Sequence, residues 1–206
     1  MKQAEFARRL HAGEPLSGTV SLTFDVGSED NAAVLPHLLR ELAVPATVYA
    51  CAGLLGRPIP WLEGARFMTA DELRQLASSP TVEIGSHTSH HAVLADATAE
   101  DAEREMTTSR QALEALLDLP IHSFSYPKCR YSEACPGAAA RAGYTSAVTC
   151  GGLGGLTPYE LSRESPSPRD GPITFELKSR GAFWAVRDLP PVRLARWATR
   201  PVRHRA

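Results

Sequence analysis

The feature that most constrains this chain is an alternation starting near residue 18, where short apolar runs rich in β-branched residues are separated by longer segments of helical spacing. Each intervening helix returns the chain to the starting end of the sheet, so the alternation specifies parallel strands covered by helices. Thr19–Phe24 reads as a first strand ended by Gly27, and Asp30–Leu42 as a helix whose Ala33, Leu35, Leu38, Leu39 and Leu42 share a face. Ala46–Cys51 is the next strand. The stretch to Met68 carries Gly53, Gly56, Pro58, Pro60 and Gly64, and is expected as a long loop. Thr69-Ala-Asp-Glu72 and Thr98-Ala-Glu-Asp101 each place a hydroxyl three residues before a carboxylate, the spacing that satisfies orphan N–H groups at a helix start. Thr81–Ile84, Ser123–Tyr126 and Tyr144–Thr149 read as further strands, with a short helix closing at Ala138–Ala142. Irregular chain is expected from Gly151 to Pro172, then a last strand at Ile173–Leu177.

A length of 206 residues suits one domain, expected at 18–186 between an N-terminal extension, 1–17, and a basic tail, 187–206. That tail holds Arg193, Arg196, Arg200, Arg203 and Arg205 with no acidic residue after Val192, and reads as a solvated end. Lys plus Arg number 22 against 23 Asp plus Glu, a net charge of -1 that supplies no field for holding nucleic acid or an anionic membrane. No apolar run approaches the ~18 residues of a membrane span, and residues 1–18 lack the apolar core of a secretion signal, so a cytoplasmic chain is expected. Cys51, Cys129, Cys135 and Cys150 form no C-x-x-C pair; buried thiols are expected, with a disulfide as the alternative.

On parallel βα scaffolds, chemistry sits at the C-terminal ends of the strands, where loops vary and strands fix their bases. Three such ends carry competent side chains: Asp25 in Thr23-Phe-Asp-Val-Gly27, the cluster Ser86-His-Thr-Ser-His-His91, and Ser125-Tyr-Pro-Lys-Cys129. His87 and His91 are four apart, a spacing that on turn-like backbone points two imidazoles the same way, and with a carboxylate they make the ligand set of a divalent transition metal. His90 should project away from the pair.

These segments carry a resemblance. Leu22-Thr-Phe-Asp-Val-Gly27 resembles the Thr-Phe-Asp-Asp-Gly motif of the polysaccharide deacetylases that share the NodB homology domain, carbohydrate esterase family 4. Glu83-Ile-Gly-Ser-His-Thr-Ser-His-His91 resembles their His-Thr-x-x-His motif, and Phe124-Ser-Tyr-Pro-Lys-Cys129 is similar to their Phe-x-Tyr-Pro-Tyr-Gly segment. The resemblance implies an α/β fold, a distorted parallel β/α barrel smaller than the eightfold form, and hydrolysis of an acetyl group by metal-bound water. By position, it implies Asp25 as general base and His87 and His91 as ligands of a divalent metal, zinc first. It implies the Lys128 backbone N–H as oxyanion donor and Arg163 as an ion-pair partner orienting Asp25. Tyr126 and Pro127 become candidate substrate contacts, and Tyr126, Trp61 and Trp184 have faces that suit pyranose rings, with core packing as the alternative.

Two departures bear on activity. Val26 stands where the family has a second Asp, which removes the third metal ligand unless Asp25, Glu29 or Asp30 replaces it. After His122 no histidine follows until His204, so the late general-acid histidine of the family has no counterpart, and Arg163 cannot donate a proton at neutral pH. The readings are therefore a hydrolase removing an N- or O-acetyl group from an amino sugar or related metabolite, a silent saccharide- or protein-binding member of the fold, or a hydrolase of other non-peptide C–N bonds. The expected partner is a small molecule or oligosaccharide.

Overall fold

The computed structural model describes residues 1–151, 157–187 and 189. Six strands form one sheet in sequential order, β1 (Leu22–Phe24), β2 (Ala46–Ala50), β3 (Val82–Ser86), β4 (Ser123–Ser125), β5 (Ser146–Cys150) and β6 (Leu161–Arg163). The four pairs from β1 to β5 are registered parallel. Between them run α2 (Glu29–Glu41), α3 (Ala70–Ala77), α4 (Ala99–Leu117) and α5 (Cys135–Arg141). This is the sequential winding of a β/α barrel with fewer than eight strands.

All five residues of β2 are buried, as a strand covered on both faces should be. One core cluster joins Ala46, Val48 and Ala50 of β2 with Leu35 and Leu39 of α2, Leu73 and Leu76 of α3, Met106 and Leu113 of α4, and Phe124 of β4. Gly85 in β3 is required by close approach, because a Cβ there would lie 2.5 Å from the Tyr49 ring. Thr69 opens α3 with a complete capping box closed by Glu72, and the Thr98 hydroxyl accepts the Asp101 N–H at 3.1 Å to open α4.

Three departures from the sequence reading have physical causes. Gln3–His11, inside the expected extension, forms a helix, α1, that caps the N-terminal ends of the strands. Its first-turn N–H groups are answered by the sheet: Gln3 N–H donates to Thr47 Oγ1 at 3.0 Å, and Ala4 N–H to the Glu83 carboxylate at 3.0 and 3.2 Å. Ile173–Leu177, expected as a strand, is helical within α6 (Pro172–Ser179), because Pro172 at the first helical position presets φ for the turn. Leu38 and Leu42 of the expected α2 face are exposed, since the buried stripe is only Leu35 and Leu39.

Residues 1–149 and 157–161 of the described chain form one compact unit, and 150, 151 and 162 onward another. The second contains α6 and a short α7 (Phe183–Arg187). Its Lys178 ammonium pairs with Asp170 at 2.8 Å. Apart from Arg187 and Leu189, the basic tail with Arg193, Arg196, Arg200, Arg203 and Arg205 lies outside the described residues, as does His204. Among the described residues no helix is long and apolar enough to cross a membrane.

Candidate active site

The first unit brings Asp25, His87, His91 and Lys128 to one rim. The parallel register places Ser86 beside Phe124, so His87 and Ser125, each one residue further, stand level. The Ser125 hydroxyl donates to Asp25 Oδ1 at 3.1 Å, while the Ser125 carbonyl oxygen lies 2.8 Å from His87 Nδ1. A carbonyl can only accept, so Nδ1 carries a proton, which in the neutral ring makes Nε2 the acceptor nitrogen. One residue thus fixes both the base candidate and the tautomer of an imidazole 1% exposed.

The loop that carries the histidines is tied down from several sides. His87 N–H donates to Ala50 O at 2.9 Å, Gly53 N–H to Ser89 O at 2.8 Å, and Ser89 N–H to Glu105 of α4 at 2.8 Å. The buried Cys51 thiol donates to His87 O at 3.5 Å, and its sulfur is bonded by the His91 backbone N–H. Burial, and then the negative charge of Asp25, push that thiol up to about 12, so Cys51 stays protonated and braces the loop rather than acting as a nucleophile. The His87 and His91 rings end 5.0 Å apart, and His91 stacks on Trp61 at 4.5 Å with planes 26° apart. His90 is exposed, as expected.

Electrostatics report the same grouping. Burial holds the His91 imidazole below its ordinary range, the Lys128 cation adds to that, and Asp25 opposes it. Both charges therefore act on His91, which stays neutral at neutral pH. Backbone strain gathers here too: Val26 (φ 77°), Thr88 (65°), His91 (56°), Lys128 (54°) and Cys129 (54°) account for five of the seven non-glycine residues in the left-handed region among the described residues. For the β-branched Val26 and Thr88 that conformation is costly, about 1–3 kcal/mol each, and tolerated only where the surroundings enforce it.

The donor set for a metal is incomplete. Val26 is partly buried and packs against a small apolar cluster of Cys51, Ile59 and Phe67, so the family's third-ligand position is taken by an apolar side chain. Neither acidic neighbour substitutes: Glu29 is held by Arg66 at 3.0 Å and Asp30 is exposed. Among the described residues no group of three His, Cys, Asp or Glu side chains is placed to hold a metal ion. His87 and His91 offer two donors where a catalytic zinc takes three from protein, so the residues present do not fit a complete zinc centre.

Two other expected site residues, Tyr126 and Pro127, are placed differently. Tyr126, expected to contact substrate, is a core residue: its ring is fully buried, stacked on Tyr131 at 4.2 Å, and its hydroxyl donates to Tyr159 O at 3.0 Å. Pro127 is likewise buried, and the exposed member of that segment is Lys128. Arg163 lies in the second unit, where it lines a cavity of about 360 Å³ with Glu164, Lys178, Trp184 and Arg187. Cys129 and Cys150, expected as buried thiols, are disulfide-bonded, leaving Cys51 and Cys135 free and buried. Ser125, read in the sequence only as the first residue of a strand-end segment, and Cys51, expected only as a buried thiol, sit at or next to a strand end, and that position is the one signal of their part in the site.

Comparison with known proteins follows the same lines. The family described as polysaccharide deacetylase matches residues 12–147. YxkH of Bacillus subtilis (strain 168), whose name carries the same family, is 26% identical over 136 residues, which cover 66% of this chain and 46% of that protein. The chain thus spans about half the length of this curated relative. Among solved structures, the Streptococcus pyogenes deacetylase PplD, in complex with acetate, superposes with a TM-score of 0.71 at 24% identity, covering 85% of this chain and 76% of that one. BA3943 of Bacillus anthracis, a pseudoenzyme of the CE4 family, superposes with a TM-score of 0.51 at 15% identity, covering 65% and 44%. At these identities the structures establish the fold alone, and a fold shared by a deacetylase and a pseudoenzyme does not decide activity. The chain belongs to the polysaccharide deacetylase family.

Proposed function

We propose that the rim removes an N- or O-acetyl group from an amino sugar. The observation that carries this reading is the double use of Ser125, whose hydroxyl steadies Asp25 and whose carbonyl orients His87, so that a carboxylate base and an imidazole lone pair are referenced to one point. Asp25 accepts the proton of the water whose oxygen bonds to the acetyl carbon, and returns it to the departing sugar nitrogen or oxygen as the C–N or C–O bond breaks. The Lys128 backbone N–H serves as donor to the developing oxyanion, with the Lys128 ammonium adding positive charge beside it. The buried, oriented Nε2 of His87 and the neutral His91 ring are the groups toward which a divalent cation, zinc first, would be drawn. With two protein donors such a cation would be weakly held. A second reading, a silent saccharide-binding domain, is favoured by the packing of Val26 in apolar surroundings.

The test is acetate release from N-acetylglucosamine oligomers by the purified chain, with and without added zinc or cobalt. Release that falls at least about 100-fold in Asp25→Asn, with unchanged circular dichroism, is the expected result. Oligomer binding with no acetate under any of these conditions would establish the silent reading instead.

A further inference from the structure

Two cations on the segment that follows β4 lack a counterion among the described residues. Lys128 and Arg130 are exposed, and neither side chain forms an ion pair or hydrogen bond there. In the same unit Arg66, Arg74, Arg104, Arg110 and Arg141 each meet a carboxylate. The turn beneath Lys128 is fixed: Cys129 N–H donates to Tyr126 O at 3.0 Å and Arg130 N–H to Pro127 O at 3.2 Å, Pro127 is buried, and Lys128 itself is held at φ 54°. Nearby acids are engaged elsewhere. Asp25 accepts from the Ser125 hydroxyl at 3.1 Å, and Glu160 from the Tyr131 hydroxyl at 3.2 Å. The Lys128 charge is still felt across the rim, where it disfavours the His91 imidazolium.

In the reading above the Lys128 N–H meets the acyl oxygen, so the side chain of the same residue borders any sugar bound there. A bound sugar displaces water from the rim, and an ammonium that loses water without gaining a partner is penalised. Neutral sugars offer it hydroxyls alone. A carboxylate or phosphate offers a charge-assisted hydrogen bond of roughly twice the strength. We infer that Lys128 selects acetylated amino sugars carrying a carboxylate or phosphate near the acyl group over their neutral counterparts, with Arg130 adding to the positive field. Because both cations reach solvent, the advantage is about tenfold at low ionic strength and shrinks as salt screens it. This inference rests on the amino-sugar reading of the rim.

The experiment measures kcat and KM for acetate release from three sugars at low and high salt: N-acetylglucosamine, N-acetylmuramic acid, which adds a carboxylate beside the acylated carbon, and N-acetylglucosamine 6-phosphate. The proteins are the full chain, Lys128→Gln and Lys128→Glu, with circular dichroism to verify folding. One of the anionic sugars is expected to be preferred about tenfold over the neutral one, and its identity separates carboxylate from phosphate. The preference falls in high salt, is lost through KM in Lys128→Gln, and inverts in Lys128→Glu. No preference at low salt overturns the inference. So does an equal loss for charged and neutral sugars in Lys128→Gln, which would assign the ammonium to the oxyanion alone. Calorimetry with the same sugars lets the two readings fail separately. Tighter binding of an anionic sugar that disappears in Lys128→Gln, with no acetate released, leaves the selectivity standing and removes the deacetylase. Acetate release indifferent to sugar charge does the reverse, and neither release nor binding of any of the three sugars overturns both.

Discussion

The two ends of the sheet in the first unit solve opposite problems. At the N-terminal ends, Glu83 accepts from Ala4 N–H and from Ser123 Oγ at 3.2 Å and Thr47 accepts from Gln3 N–H, non-glycine left-handed backbone is confined to Ala43 and Asp118 in the turns before β2 and β4, and the buried Gln3 Nε2 and Ser146 Oγ find no partner among the described residues. Phe6 and Leu10 of α1 cover Tyr49, Val148 and Leu161 beside them. At the C-terminal ends, five non-glycine residues hold left-handed backbone and an imidazole is kept neutral by burial and the Lys128 cation against the pull of Asp25. The contrast teaches where folding free energy is spent: one end closes the fold, and the other stores strain around groups poised for chemistry.

The largest expected effect breaks the contrast at the rim. Val26→Asp restores a third donor and should tighten zinc binding by at least about 10–100-fold, read by calorimetry on metal-stripped protein. In metal-free buffer the same change should lower stability by about 1–3 kcal/mol, because it puts a carboxylate among Cys51, Ile59 and Phe67. Unchanged zinc affinity would mean that the rim differs from a zinc centre by more than one residue.

A smaller effect sharpens the contrast at the closed end. Burial raises the Glu83 carboxyl above its ordinary range, against the pull of the Ala4 N–H. As pH rises from the usual carboxylate range through that raised value, the unfolded chain gives up its proton first, so the folded state loses stability until both forms are ionised. Glu83→Gln has no proton to lose. Its melting temperature should gain a few degrees on the unmodified chain across that window and none below it. Parallel melting curves at every pH would show that Glu83 is better solvated than its contacts imply.

Much of this was legible in the sequence because it depends on local pattern. Alternating runs announced the parallel strands, Thr69 and Thr98 announced two helix starts, and Asp25, His87 and His91 stood out as competent side chains at strand ends. What stayed hidden depends on tertiary neighbours. Ser125 matters through its carbonyl as much as its hydroxyl, and no residue type advertises a carbonyl. Val26 read as a lost ligand, but its place in an apolar cluster with Ile59 and Phe67 requires the loop to have folded over it. Tyr126 looked like a sugar platform until packing claimed its ring, while Trp61 kept a surface in solvent. Ile173–Leu177 misled because its β-branched start outweighed the proline before it.

The central claim is that Asp25 and Lys128 act on one imidazole from opposite signs. Titrating the His91 ring by NMR tests it directly. The unmodified chain should titrate below the free-histidine range. Asp25→Asn, by removing the attraction that favours the imidazolium, should lower the midpoint further, and Lys128→Met, by removing a repulsion, should raise it. Midpoints that stay together in all three proteins would contradict the assembled rim.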